Sequence, residues 1–208
     1  MSAEAVTPGL LGKLPSRGDF VQRGLSPVLV ARWQAWLDAA MAAARPALAA
    51  DWPDIFLTAP VWAFALRDAD GPLAGVLVPG TDSVGRCHPL VLAAPLTGGG
   101  DGAALARWVA DAAELAVDAV TRDLAPDAVA AELTRLDQPA ATLRGACLPD
   151  PPGALDLAGP LTHAGAGMWW TDGSDAVAAA SVVCPAGRPQ ANAFPAFLDG
   201  AWHAREAP

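Results

Sequence analysis

Residues 9–20 read GLLGKLPSRGDF, a short apolar start followed by charged residues among glycines and a proline. Gly12, Pro15 and Gly18 fall at every third position, a spacing that an α-helix does not tolerate. Leu10, Leu11 and Leu14 are apolar and indicate that this segment is buried. The stretch therefore predicts a buried strand that runs directly into a shaped turn, and the rest of the chain can be interpreted as the scaffold of that turn.

A second stretch with the same chemistry lies at residues 79–89, PGTDSVGRCHP, where glycines, prolines, a carboxylate and an arginine stand between two apolar segments. If the two turns meet, as the ends of neighbouring strands often do, Arg17, Asp19, Asp82 and Arg86 would form a four-charge network. Such a network can mark a functional site, but a purely structural cluster of salt bridges has the same composition. The candidate binding residues of the two turns are Lys13, Ser16, Arg17, Asp19, Asp82 and Arg86.

Composition limits the classes of function. The chain has 208 residues and a formal net charge of -9, which predicts a single domain over residues 1–208 with residues 1–8 as a flexible N-terminus. The acidic balance argues against nucleic-acid binding, since that function needs a basic surface, and favours protein partners. No apolar run reaches the ~18 residues of a membrane span, and residues 1–8 lack the pattern of a signal peptide. We therefore expect a cytoplasmic protein with no membrane insertion.

Helical patterns occupy three regions. Ser26 and Pro27 are a typical N-cap and first helical residue, and apolar residues then recur every three or four positions as far as Ala44. A long helix is expected after Asp101, and a second one from Pro126. Phe194 to Leu198 is expected to form a closing helical turn.

Strand patterns lie between the helices. Trp62 to Leu66 and Leu73 to Val78 predict an antiparallel hairpin, and Leu90 to Leu96 a third strand. Two more short strands are expected within residues 167–174 and 178–184, after a long surface connection at residues 137–160. This order predicts an α+β fold with a mostly antiparallel central sheet flanked by helices.

Catalytic and metal-binding alternatives rest on few residues. Ser16, His88 and Asp82 could form a nucleophile, a base and an orienting acid. The competing function is a hydrolytic or small-molecule-binding enzyme that uses Ser16 or Asp19 in a pocket between the two turns. The sequence lacks a GxSxG elbow, so a turn-capping serine is the simpler interpretation. Neither a disulfide framework, a metal site nor a cofactor is expected, because the relevant side chains are scattered. These are Cys87, His88, Cys147, His163 and Cys184.

Trp169 and Trp170 are neighbours in a predicted strand and should therefore point to opposite faces of the sheet. One indole can pack inward. The other must be covered by a second helical layer or remain exposed beside a charged turn, where it would be an anchor for a protein partner. Trp170 is therefore included among the candidate partner-binding residues.

The order of these motifs resembles that of the TagF (ImpM) family of type VI secretion-associated proteins. The resemblance covers nearly the whole chain. It rests on GKLPSRGDF at residues 12–20, the Trp33-x-x-Trp36-Leu37 helix, Ala59-Pro60-Val61-Trp62, Gly75-Val76-Leu77-Val78-Pro79, Asp82-Ser83-Val84-Gly85-Arg86 and Trp169-Trp170-Thr171. The sequence departs from the family pattern at Gly80-Thr81 and at Cys87-His88. The strand and helix order also resembles longin or profilin-like order.

The resemblance implies a cytoplasmic, non-enzymatic protein that represses type VI secretion after translation by binding the forkhead-associated scaffold protein of that system. Some relatives carry a fused serine/threonine phosphatase domain, for which this chain has neither the length nor the metal motif. We expect the two charged turns to provide the binding surface. In a competing interpretation the turns are structural and an acidic helix face binds the partner.

Overall fold

The computed structural model describes residues 7–69, 71–97, 102–137, 139, 167–184 and 187–202. The strands are β1 (Gly9–Gly12), β2 (Val21–Arg23), β3 (Trp62–Asp68), β4 (Gly71–Val78), β5 (Leu90–Pro95), β6 (Gly167–Thr171) and β7 (Ala180–Cys184). The α-helices are α1 (Pro27–Leu48), α2 (Trp52–Leu57), α3 (Gly102–Thr121), α4 (Pro126–Arg135) and α5 (Phe194–Asp199). Short 3-10 turns occupy Ala49–Asp51 and Ala191–Ala193.

The seven strands form one sheet in the order β2-β1-β5-β4-β3-β6-β7. Every neighbouring pair is antiparallel. The predicted α+β class and the antiparallel sheet are thereby confirmed, as are the hairpin of β3 with β4 and the expected helices. The longin or profilin-like comparison and the single-domain assignment stay predictions.

Local sequence explains where the main helix begins. The Ser26 side chain accepts a hydrogen bond from the Leu29 backbone N–H, and Pro27 occupies the first helical position, where its missing N–H costs nothing. The apolar face of α1 is buried, including Trp33, Leu37 and Met41. The expected periodicity from residue 29 onward is therefore the packing face of the helix.

Both faces of the sheet are covered. On one face, side chains of the central strands pack against α3 and α4 in a core rich in alanine and aliphatic residues. On the other face they pack against α1 and α5, and this second core contains most of the large aromatic side chains, among them Trp33, Trp62, Phe64 and Trp169. Phe64 and Trp169 lie on neighbouring strands with ring centroids 4.8 Å apart.

Several expectations lie outside the described residues: most of the connection at 137–160, the cap at Asp101, Cys147, His163 and most of the N-terminus. Two elements were not predicted, the three-residue strand β2 and the six-residue helix α2. None of the described helices combines the length and apolarity that a bilayer span requires.

Candidate functional site

The two glycine-containing turns lie against each other at one end of the sheet. We call them the paired turns and define them as residues 13–19 and 81–87. They follow directly from strand pairing, because β1 lies beside β5, with Gly12 opposite Leu90. The Ser83 backbone N–H donates to the Arg17 carbonyl at 2.9 Å, and Arg86 Nη2 donates to the Gly18 carbonyl at 2.6 Å. The predicted meeting of the turns is therefore present in the structure.

Asp82 is the centre of the paired turns. Its side chain is fully buried and accepts four hydrogen bonds. Lys13 Nζ at 2.8 Å and Arg86 Nε at 2.6 Å bind Oδ2, while the backbone N–H groups of Val84 and Arg86 bind Oδ1 at 3.1 and 2.9 Å. Burial alone would raise the pKa of Asp82, but these donors outweigh it and hold the pKa well below its ordinary value. Asp82 is thus ionised at neutral pH and anchors its own turn.

Lys13 is the only lysine in the chain. Its side chain is 17% exposed and its ammonium group binds Asp82 across the two turns. Because a buried carboxylate needs a partner charge, Lys13 and Asp82 hold the turns together, and most of the surface of both side chains is buried.

Ser16 joins the first turn to the segment between α3 and α4 through a hydrogen bond. Its hydroxyl donates to the Leu124 carbonyl at 2.8 Å, in the connection between α3 and α4. Nearby, Arg23 Nε binds Asp127 at 2.6 Å, and this hydrogen bond lowers the pKa of Asp127, with a smaller contribution from the charge of Arg17. The first turn therefore contacts the connection between α3 and α4 as well as the second turn, and β2 contacts α4.

The Ser16, His88 and Asp82 triad is not assembled. His88 Nδ1 lies 3.0 Å from the Pro89 carbonyl oxygen, and His88 Nε2 lies 3.7 Å from Asp38 on α1. Burial lowers the pKa of His88. Ser16, His88 and Asp82 thus have three different sets of partners, and the proposed nucleophile, base and orienting acid do not contact one another in the part of the chain that the structure describes.

The predicted four-charge network is wrong in its membership. The ion pairs of Asp82 are made by Lys13 and Arg86, whereas Arg17 donates to the Ser16 carbonyl at 3.2 Å and Asp19 is exposed. The reason is geometric, since the Arg17 carbonyl and not its side chain faces the second turn. Arg17 and Asp19 are consequently left on the outer surface.

That outer surface also includes an apolar residue that the sequence interpretation overlooked. Val84 is 71% exposed at the tip of the second turn, between the exposed Ser83 and Gly85. Arg86 beside it has a side chain that is 61% exposed. An apolar residue in a glycine-bounded polar turn was the available signal for Val84. We call Arg17, Asp19, Val84 and Arg86 the outer face of the paired turns.

Trp170 requires a correction. The exposed-anchor hypothesis is wrong, because Trp170 is only 8% exposed and lies in the core beside α3 and α4. Trp169 is buried in the opposite core, where its Nε1 donates to the Gly187 carbonyl at 2.9 Å. The two indoles do point to opposite faces, and a helical layer covers each of them.

Metal ligands are not clustered among the described residues, where no three His, Cys, Asp or Glu side chains converge. Cys87 is partly exposed in the second turn and Cys184 is buried. Burial raises the pKa of both thiols, to about 12 for Cys184.

Comparison with known proteins gives three findings. Residues 9–136, which include both turns, match the family model described as TagF N-terminal domain, type VI secretion system-associated. The crystal structure of PA0076 from Pseudomonas aeruginosa PAO1 has a TM-score of 0.74 and 31% sequence identity to this chain, and the match covers 93% of this chain and 94% of that one. No curated protein matches the sequence. The protein is therefore a member of the TagF N-terminal domain family of type VI secretion system-associated proteins.

Proposed function

We propose that this protein is a cytoplasmic, non-enzymatic regulator that represses type VI secretion after translation. In this proposal it binds the forkhead-associated scaffold protein of the secretion system, and the outer face of the paired turns is the binding surface. Membership of the TagF family supports the connection with type VI secretion. The scaffold as partner comes from the resemblance to that family.

We choose the outer face of the paired turns as the binding surface because its exposed side chains lie on two turns that an ion pair joins. Arg17, Asp19 and Arg86 are exposed on the same two turns as the 71% exposed Val84, and Lys13 and Asp82 hold these turns together. An apolar residue with charged neighbours suits a protein interface, where apolar contact supplies affinity and charges supply orientation. A preorganised surface also loses little entropy on binding.

The experiment compares two double variants in co-purification with the scaffold and in a secretion assay on overexpression. Arg17→Glu with Val84→Asp changes the outer face without touching the Lys13–Asp82 pair. Arg107→Glu with Val28→Asp is the matched control, because Arg107 and Val28 are likewise exposed, on α3 and α1. The outer-face variant should bind the scaffold roughly tenfold more weakly or worse, and should release effectors.

The control variant should bind and repress like the unmodified protein. Association should also weaken as salt concentration rises, since exposed charges are screened. Equal scaffold binding by both double variants would refute the assignment of this surface. Undiminished effector release despite abundant folded unmodified protein would refute repression itself.

A further inference from the structure

The Arg86 guanidinium group is held in place by two hydrogen bonds and still faces solvent. Nε donates to Asp82 Oδ2 at 2.6 Å, and Nη2 donates to the Gly18 carbonyl oxygen at 2.6 Å. A guanidinium group has five N–H donors in one plane, so these two bonds to described residues leave three donors, on Nη1 and Nη2. Because the side chain is 61% exposed, those donors are presented at the surface in a fixed orientation.

The side chains of the paired turns carry one more positive than negative charge. Lys13 and Arg86 both bind Asp82, so one carboxylate balances two cations. The side chains of Lys13 and Asp82 are 17% and 0% exposed, whereas that of Arg86 is mostly exposed. The remaining charged residues of the two turns, Arg17 and Asp19, have opposite signs. The surplus positive charge therefore reaches the surface at Arg86, in a chain whose formal net charge is -9.

The tip of the second turn is closed by backbone hydrogen bonds. The Gly85 N–H donates to the Asp82 carbonyl at 2.9 Å, and the Asp82 N–H donates to the Arg86 carbonyl at 3.2 Å. Val84 lies within this closed tip, 71% exposed and two residues before Arg86. Its β-branched side chain has few rotamers to lose on binding. The second turn therefore presents one oriented cation and one stiff apolar side chain.

We propose that the outer face of the paired turns recognises an acidic segment of its protein partner, in which a carboxylate binds the Arg86 fork and a neighbouring apolar side chain contacts Val84. The inference rests on the proposed function and names the chemistry of the scaffold surface that is bound. The two oxygens of a carboxylate accept two parallel N–H groups of a guanidinium fork. A phosphorylated side chain carries about -1.5 to -2 charges, more than the one surplus positive charge, and phosphate recognition uses clusters of arginines. A carboxylate therefore matches this surface better than a phosphate group does.

The first test measures scaffold binding by isothermal titration calorimetry for Arg86→Gln, Arg86→Lys and the control Arg135→Gln. The Arg135 side chain is 70% exposed and pairs with Glu132, so its replacement also breaks an exposed ion pair, but at the C-terminal end of α4. Arg86→Gln should weaken scaffold binding about tenfold. Arg86→Lys should weaken it by a similar factor, because an ammonium group lacks the planar fork. Arg135→Gln should bind like the unmodified protein.

A second test separates the loss of a partner contact from a loosened turn. Each Asp and Glu of the scaffold is replaced in turn by Asn or Gln, and binding is measured to the unmodified protein and to Arg86→Gln. One replacement should weaken binding to the unmodified protein about tenfold and cause no further loss with Arg86→Gln, because both changes remove the same contact. If Arg86→Gln does not fold, Arg86→Lys, which keeps a cation beside Asp82, takes its place in this cycle.

Three outcomes would overturn the carboxylate contact while leaving the proposed function in place. These are equal scaffold binding by Arg86→Gln and Arg135→Gln, full binding by Arg86→Lys, and additive losses for every scaffold replacement. Absence of scaffold binding by the unmodified protein would instead refute the proposed function, and this inference with it.

Discussion

Replacing Ser16 with alanine removes the hydrogen bond that joins the first of the paired turns to the connection between α3 and α4. The Ser16 hydroxyl donates to the Leu124 carbonyl at 2.8 Å, and 108 residues separate the two in sequence. If this hydroxyl has a structural role and is not a nucleophile, its removal should lower the free energy of unfolding.

The expected size follows from the partly buried position of the bond. A hydrogen bond of this type contributes about 0.5–1.5 kcal/mol, and a carbonyl left partly unsatisfied adds to the loss, so Ser16→Ala should cost about 1–2 kcal/mol. In a protein of this length each kcal/mol corresponds to about 2–4 °C. The melting temperature should therefore fall by about 2–8 °C.

Thermal unfolding followed by circular dichroism measures this shift. Ser83→Ala is the matched control, because Ser83 is exposed in the second turn, where a comparable substitution changes stability by about 0.5 kcal/mol at most. A decrease for Ser16→Ala that equals the one for Ser83→Ala would refute the structural role. Loss of repression by Ser16→Ala at an unchanged melting temperature would instead assign a chemical role to the hydroxyl.

Three further predictions concern the backbone, pH and thiol reactivity. Gly12→Ala should prevent stable folding, whereas Gly71→Ala should cost only backbone strain, about 1–3 kcal/mol. Both glycines have positive φ (132° and 122°), but an added Cβ meets the Pro89 carbonyl oxygen at 2.2 Å at Gly12 and nothing within 4 Å at Gly71. Expression level and melting temperature measure the difference. Because the pKa of Asp82 is lower in the folded protein than in the unfolded chain, ionised Asp82 should contribute fully to the free energy of unfolding above about pH 4, and this contribution should decline below that pH. The free energy of unfolding of Asp82→Asn, measured over the same acid range, should lack this decline. An alkylating reagent at pH 8 should modify the partly exposed Cys87 before the buried Cys184, whose pKa is about 12, and mass spectrometry measures both rates. Equal alkylation rates in the folded protein would contradict the burial of Cys184.

Periodic patterns predicted most of the elements because those patterns reflect burial. The alternation in β3 and the three-to-four spacing in α1 correspond to faces that pack against a core. Strand β2 has three residues and α2 has six, lengths at which neither period can be recognised. Strand β2 depends on pairing with β1, and α2 depends on the burial of Phe56, which are tertiary effects.

The sequence predicts that the paired turns meet, but it does not predict which of their side chains form ion pairs. Similar turn composition at residues 9–20 and 79–89 indicated correctly that the turns meet, since strand ends are neighbours in a sheet. Which charges pair depends on the direction in which each side chain leaves its turn, and this placed Lys13, not Arg17, on Asp82. The contact of Ser16 with Leu124 spans half the chain and leaves no local signal.

The unequal distribution of aromatic residues has a consequence for spectroscopy. Six of the eight tryptophans belong to or border the core beside α1 and α5, and only Trp108 and Trp170 lie in the other core. Intrinsic fluorescence therefore reports chiefly on one half of the molecule, whereas far-ultraviolet dichroism weights every helix. A dichroism transition that precedes the fluorescence transition would reveal that the α3–α4 layer unfolds before the aromatic half.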